Sequence, residues 1–284
     1  MPTLRCAISP DADDLFMFRA LLLGLIDPGP VDFDITTADT DALNRVARGE
    51  TVAAVPDVSA ISVAWYPRLQ DDWMLLPHGG SVGRDYGPVV VAPRPLAPAD
   101  LGGLRIGVPG TSTTAYTVLR LICDFEPVVI PITPPALTFQ ALDEGRVDAA
   151  LLIHEGRLTF RDHGQHHVLD IGEWWHAETG LPLPLGANAI RRSLGMETIA
   201  AASDAMRRSI AHGLDHRDAA IAWLLERGAG PLDSVEKVDH YLSLYANADT
   251  LDYGDDGRAG IRELLARGAA AGLLPSVERV DFAP

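Results

Sequence analysis

Short apolar segments alternate with amphipathic segments along the first half of the chain, and this alternation constrains the fold more than any other feature. The segment from Leu4 to Ser9 predicts a buried strand, and the apolar run after Asp13 and Asp14 predicts a helix reaching Leu23. Further strands are predicted at 31–36, 52–55, 104–108, 128–132 and 147–153, with helices between them. Such alternation favours an α/β fold with a largely parallel sheet.

Two segments of the chain resemble each other. In both LNRVARGETVAA and FQALDEGRVDAA, a helix ends at glycine (Gly49 and Gly145) and a short apolar strand with paired alanines follows. Polar residues follow each strand: Asp57 to Ser59 after the first, and His154 with Glu155 after the second. Asp57 is also predicted to cap a helix that runs towards Tyr66. Two similar lobes would bring these strand ends to one cleft, where open α/β sheets bind ligands. Chance similarity of two short segments is the alternative.

The pattern changes after Arg192, where four helices are predicted at 196–212, 218–227, 235–245 and 257–271. Their periodicity indicates amphipathic packing onto a lobe. A proline-rich stretch at 93–98 interrupts the chain, and the alternating proline and leucine residues of 180–186 predict an extended return crossing. We therefore predict a larger lobe of residues 1–93 and 191–284 and a smaller lobe of residues 94–190.

The charge of the chain excludes some partners. Its formal net charge is −16, and an acidic surface repels nucleic acid and anionic lipid, so neither is an expected partner. The apolar run from Leu21 to Ile26 is too short to span a bilayer. Aspartates occupy the N-terminal region where the apolar core of a signal peptide would lie, so we expect a cytoplasmic protein.

Two segments carry candidate site residues. Residues 109–115, PGTSTTA, lie between a predicted strand and helix, so hydroxyls and free helix N–H groups converge on an anion-binding arrangement or a helix cap. His154 follows an apolar strand, and a histidine in that position is either a general base near neutral pH or a structural residue.

Other patterns are weaker. Residues 79–83 match G-x-S-x-G, but no helix follows Ser81, so a glycine-rich cleft wall is favoured over a hydrolase nucleophile. Asp11, Asp13 and Asp14 predict helix capping and a polar cleft edge, because one short loop offers a metal ion ligands from one side only. The histidines at 163, 166 and 167 fit no standard zinc spacing, so no metal is expected.

Several segments together resemble one family. The stretches SPDADDLFMF, GGSVGRDYGPVVVA, VPGTSTTAYTVLRL, IHEGR and GEWWHAETGLPLPLG occur in order along the chain and are similar to 1,4-dihydroxy-6-naphthoate synthase of the futalosine route to menaquinone. This resemblance implies a two-lobed fold of the type II periplasmic-binding-protein kind, with the site between the lobes. It also implies a cofactor-independent lyase that converts cyclic dehypoxanthine futalosine to 1,4-dihydroxy-6-naphthoate.

The resemblance also assigns roles to residues. His154 matches the family's proton acceptor, Thr113 and Thr114 its substrate-binding hydroxyl pair, and Asp57, Val58 and Ser59 its other substrate-contact segment. The chain departs from the family where Asp11, Ala12, Asp13 and Leu15 stand in a motif that commonly reads SPCPNDTF, and where Asp57 replaces a common lysine. A non-catalytic cytoplasmic carboxylate-binding protein and chorismate dehydratase are the alternatives, and the oligomeric state is not predicted.

Overall fold

The computed structural model describes residues 1–132, 134, 136–228 and 230–284. Its strands are β1 (Thr3–Ile8), β2 (Asp32–Thr37), β3 (Val58–Ser62), β4 (Trp73–Leu75), β5 (Ser81–Gly83), β6 (Val89–Ala92), β7 (Arg105–Val108), β8 (Glu126–Val129), β9 (Ala149–Leu152), β10 (His166–Asp170) and β11 (Leu183–Arg191). Its α-helices are α1 (Ala12–Leu22), α2 (Thr40–Arg48), α3 (Thr114–Ile122), α4 (Ala136–Asp143), α5 (Gly156–Thr159), α6 (Ile171–Thr179), α7 (Met196–Asp215), α8 (Arg217–Glu226), α9 (Val235–Tyr245), α10 (Ala248–Leu251) and α11 (Gly254–Ala270). Short 3-10 helices cover Val63–Arg68, Pro98–Leu101, Phe160–His163 and Arg192–Leu194.

The strands form two separate sheets. The first has the order β2-β1-β3-β11-β4, with β5 also paired to β11, and the second has the order β10-β6-β9-β7-β8. We call each sheet with its packed helices a lobe: the first lobe contains β1 and the second contains β6. The α/β class is confirmed.

The sheets are mixed, so the prediction of a largely parallel sheet is wrong. β1 pairs in parallel with β2 and β3, and β7 with β8 and β9, as βα repeats require. Each antiparallel pairing contains β6 or β11. These are the strands that enter a sheet directly after the chain has crossed between lobes, so they arrive from the opposite direction.

The chain crosses between the sheets at two places. It leaves the first sheet after Gly83 and reaches the second at Val89, and it returns between Asp170 and Leu183. β6 therefore lies in the second sheet and β11 in the first, on the other side of the boundaries predicted at 93 and 190. The proline-rich stretch at 93–98 follows β6 within the second lobe, and the proline–leucine segment enters β11.

The strand predicted at 52–55 is wrong, as is the helix predicted from Asp57 to Tyr66. Residues 51–53 form a bend in which Val52 is fully exposed, and strand β3 begins only at Val58. A 3-10 helix follows it from Val63. β3 has four buried residues among five, so it lacks the apolar–polar alternation that would have distinguished it from its neighbours.

The four C-terminal helices predicted from periodicity are confirmed as α7, α8, α9 and α11, with ends within three residues of expectation. α7 packs along α1, where buried Ser209 donates a hydrogen bond to the Met17 carbonyl at 2.7 Å. α9 also packs on α1. The C-terminal helices thus fix the position of the helix that follows Asp11.

The two crossing segments touch at a pair of glycines. A Cβ on Gly172 would overlap the main chain of Tyr86 and Gly87, and a Cβ on Gly87 would lie 2.9 Å from the Gly172 nitrogen. The first turn of α6 is held there because Asp170 accepts hydrogen bonds from the N–H groups of Gly172 (2.8 Å) and Glu173 (3.2 Å). The lobes therefore meet through direct main-chain contact.

We predict that Gly172→Ala lowers the free energy of unfolding by about 3 kcal/mol, because the added methyl group displaces packed backbone. Alanine is intrinsically the better helix former, so its helix propensity acts in the opposite direction. Urea denaturation followed by circular dichroism measures the change. Gly102→Ala is the matched control, since its Cβ would meet only the Asp124 carbonyl at 4.0 Å. If the two variants had the same free energy of unfolding, close main-chain contact at Gly172 would be contradicted.

Candidate active site

His154 lies just beyond the carboxyl end of β9 and faces the cleft between the lobes. Its backbone has a φ of +50°, which is uncommon for a residue with a side chain. Such conformations cost about 1–3 kcal/mol and persist where surrounding contacts determine them. The contacts that hold this side chain come from the other lobe.

Asp11 supplies the main contact. Its Oδ2 lies 2.5 Å from His154 Nδ1, and the Asp11 side chain is only 8% exposed. The other ring nitrogen, Nε2, lies 3.4 Å from the hydroxyl of Thr40 at the start of α2. Asp11 and Thr40 belong to the first lobe and His154 to the second, so both polar contacts of the imidazole cross the cleft.

Asp13 and Asp14 are buried beside this pair. Asp13 accepts hydrogen bonds from the Ser81 hydroxyl (2.5 Å) and the Tyr241 hydroxyl (2.9 Å), and Asp14 accepts one from the Ser9 N–H (2.6 Å). Burial, reinforced by the Asp11 charge, raises the pKa of Asp13 to about 7 and raises that of Asp14 well above its usual range. The cleft edge predicted for the aspartates is present. The capping prediction is wrong, because Asp11 occupies the N-cap position of α1 without a side-chain cap bond.

The pKa of His154 reflects two opposed effects. Burial of the ring lowers it, but the charge of Asp11 and the hydrogen bond to it outweigh burial and raise the pKa to about 10. The free protein therefore holds His154 as an imidazolium paired with the Asp11 carboxylate near neutral pH.

The cleft encloses a cavity of about 100 Å³ next to this pair. Its wall combines apolar side chains with hydroxyls, and none of the described residues that line it is lysine or arginine. Lining groups that bear on the chemistry are Ser9, Asp11, Asp13, Thr40, Ser62, Ser81, Thr113, Thr114, His154 and Tyr241. His154 is thus the group in that lining that can supply a positive charge.

Thr113 and Thr114 line the cavity, but their hydroxyls are engaged within the protein. Thr113 caps α3 by accepting from the Tyr116 N–H (3.2 Å), and it donates to the Gly110 carbonyl (2.9 Å). Thr114 donates to the Leu185 carbonyl (2.7 Å) and accepts from the Ala64 N–H (3.1 Å). The N–H groups of Thr114 and Ala115, which precede Tyr116 in the first turn of α3, have no partner within the helix and remain suited to an oxygen ligand.

A buried amide joins the lobes beside α3. Asn44 is fully buried and donates to the hydroxyls of Ser62 (3.0 Å) and Ser112 (2.9 Å), while its Oδ1 accepts from the Ser62 N–H (2.8 Å). Asp41 accepts from the Ser112 hydroxyl at 2.6 Å. These bonds hold the N-terminus of α3 against the first lobe.

The structure does not bring Asp57, Val58 and Ser59 to the cavity. Asp57 precedes β3 at the amino end of the sheet, where it accepts from the N–H (2.9 Å) and the guanidinium (3.4 Å) of Arg5. Val58 is buried in the core, and Ser59 donates to the Ala60 carbonyl. Ala60, Ile61 and Ser62 line the cavity instead. The internal similarity predicts a strand at 52–55 that ends just before these residues, whereas in the structure they lie at the start of β3.

Three residues that contact this cluster were not among the predicted site residues, although a cleft wall was predicted around Ser81. Thr40, Ser81 and Tyr241 reach the site from three separate elements. Ser81 lies on strand β5 rather than in a strand-to-helix turn, and its hydroxyl bonds Asp13, so no nucleophile elbow is formed. The glycine-rich pattern around Ser81 was the available signal, whereas nothing local marks Tyr241.

The ligand-type atoms of Asp11, Asp13 and His154 all lie within 4.8 Å of one another. The Asp11–His154 pair already shares a short contact, and both oxygens of Asp13 accept hydroxyl hydrogen bonds. We interpret the group as a hydrogen-bonded cluster. Away from it, His163 stacks on Phe139 at 3.8 Å, and buried Trp175 donates to the Pro182 carbonyl at 3.1 Å.

Comparison with known proteins identifies the family. Residues 4–270 match the model of a protein family described as menaquinone biosynthesis. The chain belongs to this family.

Two relatives match this chain almost end to end. A 1,4-dihydroxy-6-naphtoate synthase of Streptomyces coelicolor is 41% identical over 280 residues, which is 97% of this chain and 96% of the relative. A protein of the same description from Thermus thermophilus is 38% identical over 283 residues, covering 99% and 100%. The family resemblance inferred from the sequence is confirmed.

Solved structures establish the fold of this family member. A protein of Archaeoglobus fulgidus superposes with a TM-score of 0.87 at 39% identity, covering 96% of this chain and 98% of that one. An alkanesulfonate-binding protein of Xanthomonas axonopodis (TM-score 0.67, 15% identity, 99% and 96% covered) and a Candida albicans protein with the generic periplasmic binding protein fold (0.68, 15%, 99% and 93%) share the fold alone. The predicted two-lobed fold class is confirmed. Within the described residues, no helix combines the length and apolar character needed to cross a bilayer.

We predict that Asp13→Asn stabilises the protein increasingly as pH rises. Because the folded-state pKa of Asp13 is raised to about 7, the wild type loses stability from about pH 4 until pH passes 7, whereas asparagine carries no charge. A tenfold change in proton affinity corresponds to about 1.4 kcal/mol. The stabilisation should therefore grow by about 3 kcal/mol between pH 5 and pH 8, measured by urea denaturation. Exposed Asp34→Asn is the control, and a pH-independent difference for Asp13→Asn would contradict the prediction.

Proposed function

We propose that this protein is a carbon–carbon lyase of menaquinone biosynthesis that converts cyclic dehypoxanthine futalosine to 1,4-dihydroxy-6-naphthoate, with His154 as general base. The names of its two end-to-end relatives support the product. The observation that carries the proposal is the imidazole of His154, held in the cleft between the lobes at 2.5 Å from Asp11. We also propose that the protein is cytoplasmic and needs no cofactor. It acts on a small molecule and binds neither nucleic acid nor membrane.

The cleft suits a flat, oxygen-bearing substrate. Apolar residues such as Leu43, Ile61 and Leu185 can cover an aromatic ring, and the hydroxyls and the first turn of α3 can hold its oxygens. Thr113 and Thr114 remain in the proposal as substrate-binding residues. Each hydroxyl donates one hydrogen bond and accepts one within the protein, so its second lone pair can accept a bond from a substrate hydroxyl, and the main-chain N–H of Thr114 can donate to a substrate oxygen. Ala60, Ile61 and Ser62 take the place that the resemblance gave to Asp57, Val58 and Ser59.

His154 begins the reaction by removing a proton from the cyclic substrate. Cleavage of a carbon–carbon bond then releases the rest of the substrate's ring as a separate small molecule, His154 returns the proton, and the remaining bonds rearrange to the aromatic product. Asp11 supports this step because it aligns the ring and stabilises the imidazolium that proton abstraction creates. Placement of the pair between the lobes limits access of water to it and fixes the direction of attack.

We predict that His154→Ala and His154→Asn retain the fold and lose turnover by about 10²–10⁴-fold, the usual contribution of a general base. Asparagine adopts positive φ more readily than most residues, so His154→Asn is the variant matched for backbone conformation. Purified protein is incubated with cyclic dehypoxanthine futalosine, and the naphthoate is followed by chromatography and mass. His166→Ala, on the exposed edge strand β10, is the control.

The outcomes separate the candidate functions. Tight binding of the substrate without turnover, under conditions where an authentic synthase is active, would indicate a carboxylate-binding protein. Consumption of chorismate in place of the cyclic substrate would indicate chorismate dehydratase. Turnover by both His154 variants at the wild-type rate would remove His154 from the mechanism.

We also predict that kcat/KM rises with pH between 7 and 9. Because the pKa of His154 is raised to about 10, the neutral ring that acts as base is a minor form at pH 7, and its fraction increases almost tenfold per pH unit. Steady-state kinetics across this range in buffers of constant ionic strength measures the slope. A rate that falls with pH would mean that the imidazolium acts as an acid.

A further inference from the structure

We propose that Asp11 is the positioning residue that fixes the proton of His154 on Nδ1 and leaves Nε2 as the reacting atom. The inference rests on the proposed function in that it assigns a task to the residue facing the base. Asp11 itself does not contact the reacting atoms.

The geometry of the pair supports this assignment. The Asp11 Oδ2 lies 2.5 Å from Nδ1, which is the spacing of a charge-assisted hydrogen bond in which the ring N–H donates. The opposite nitrogen, Nε2, has the Thr40 hydroxyl at 3.4 Å, and Thr40 lines the cavity. In a neutral imidazole one nitrogen carries the proton and the other accepts one, so a carboxylate on Nδ1 makes Nε2 the basic atom.

Asp11 does not cap its helix, which is the usual role of an aspartate at a helix start. It stands at the N-cap position of α1, yet its side chain makes no cap hydrogen bond. Its second oxygen, Oδ1, is buried without a hydrogen-bond partner. A buried carboxylate held in this way keeps its orientation towards the one ring that it contacts.

The charges around the ring favour the same arrangement. The titratable groups that face His154 or its partner Asp11 come from the start of α1, the start of α2, the end of β9 and helix α9: Asp11, Asp13, Asp14, Asp39, Glu155 and Tyr241. All are acidic groups, and among them Asp11 both contacts the ring and dominates the rise of its pKa. Burial of the ring lowers the pKa of His154, whereas the Asp11 charge raises it. Removing that charge therefore leaves burial as the largest influence on the pKa, which falls.

The test measures the ring directly, without substrate. Histidine ¹⁵N and ¹H chemical shifts are followed across pH in the wild type and in Asp11→Asn, with the His154 signal assigned from His154→Asn. We expect the pKa of His154 to fall by about two units or more in Asp11→Asn, since an opposite charge at this distance displaces a pKa by about 1–3 units. The neutral ring of the wild type should carry its proton on Nδ1.

Asp85→Asn is the matched control. Asp85 forms a similar contact with His176 (3.2 Å), but this pair is exposed to solvent. Asp85 also has a positive φ of 59°, which asparagine tolerates. The control removes a carboxylate from a histidine elsewhere, and it should leave the His154 titration and turnover unchanged. Asp11→Ala is a second variant, used if Asp11→Asn does not give a cooperative unfolding transition.

Turnover supplies the second readout. In Asp11→Asn, kcat on the high-pH plateau should fall by about 10²–10⁴-fold, as expected for loss of the correct tautomer, with a much smaller change in KM. The acidic limb of the pH profile should move to lower pH together with the pKa measured by NMR.

Two results would overturn the inference: an unchanged His154 pKa and tautomer in Asp11→Asn, or an unchanged plateau kcat. A third result distinguishes failure of the proposed function from failure of this inference. If the NMR titration shifts as expected but the wild type does not turn over the cyclic substrate, the proposed lyase activity fails and the pairing of Asp11 with His154 stands.

Discussion

The carboxyl ends of four strands meet at one cleft, and the geometry of the site depends on that meeting. Asp11 follows β1, Ser62 ends β3, Thr113 follows β7 and His154 follows β9. β1 pairs in parallel with β3, and β7 with β9, so the carboxyl ends of the two strands in each lobe point the same way. The antiparallel strands β6 and β11 are a consequence of the two crossings that turn the lobes towards each other.

The electrostatics of the cleft follow from its lack of fixed cations. Its described lining contains neither lysine nor arginine, while three aspartates are gathered at the start of α1. Hydroxyl and main-chain donors satisfy Asp13 and Asp14, and His154 balances Asp11. Asp57 lies with its Arg5 partner at the other end of β3 and does not line this cavity.

Much of this architecture could be predicted from the sequence, because the spacing of apolar residues marks the helices and the alternation of strands and helices indicates the α/β class. Gly49 ends α2 in the left-handed conformation, and the C-terminal helices follow their apolar spacing. His154 could be selected because it follows a recognisable strand. β3 could not be placed, because a strand buried on both faces has no alternation, so Asp57, Val58 and Ser59 were expected at the carboxyl end of a strand and lie at the amino end of β3 instead.

The residues that contact His154 could not be predicted from local sequence patterns. Asp11 resembled a helix cap in the sequence, and only the folded chain shows that its carboxylate turns away from the helix towards the other lobe. Tyr241 reaches Asp13 from a helix near the opposite end of the chain. Likewise, the hydroxyls of Thr113 and Thr114 could be located but not their bonds, since Leu185 and Ala64 come from distant segments.

The contact between Asp11 and His154 also links the motion of the lobes to proton uptake. The two residues belong to different lobes, so separating the lobes breaks the contact and returns the ring to a histidine of lower proton affinity. By thermodynamic linkage, whatever closes the cleft draws a proton from solution, and a proton in turn favours the closed form. Between the pKa of a free histidine and the pKa of about 10 in the closed form, a lower pH therefore favours contact between the lobes through this one ring.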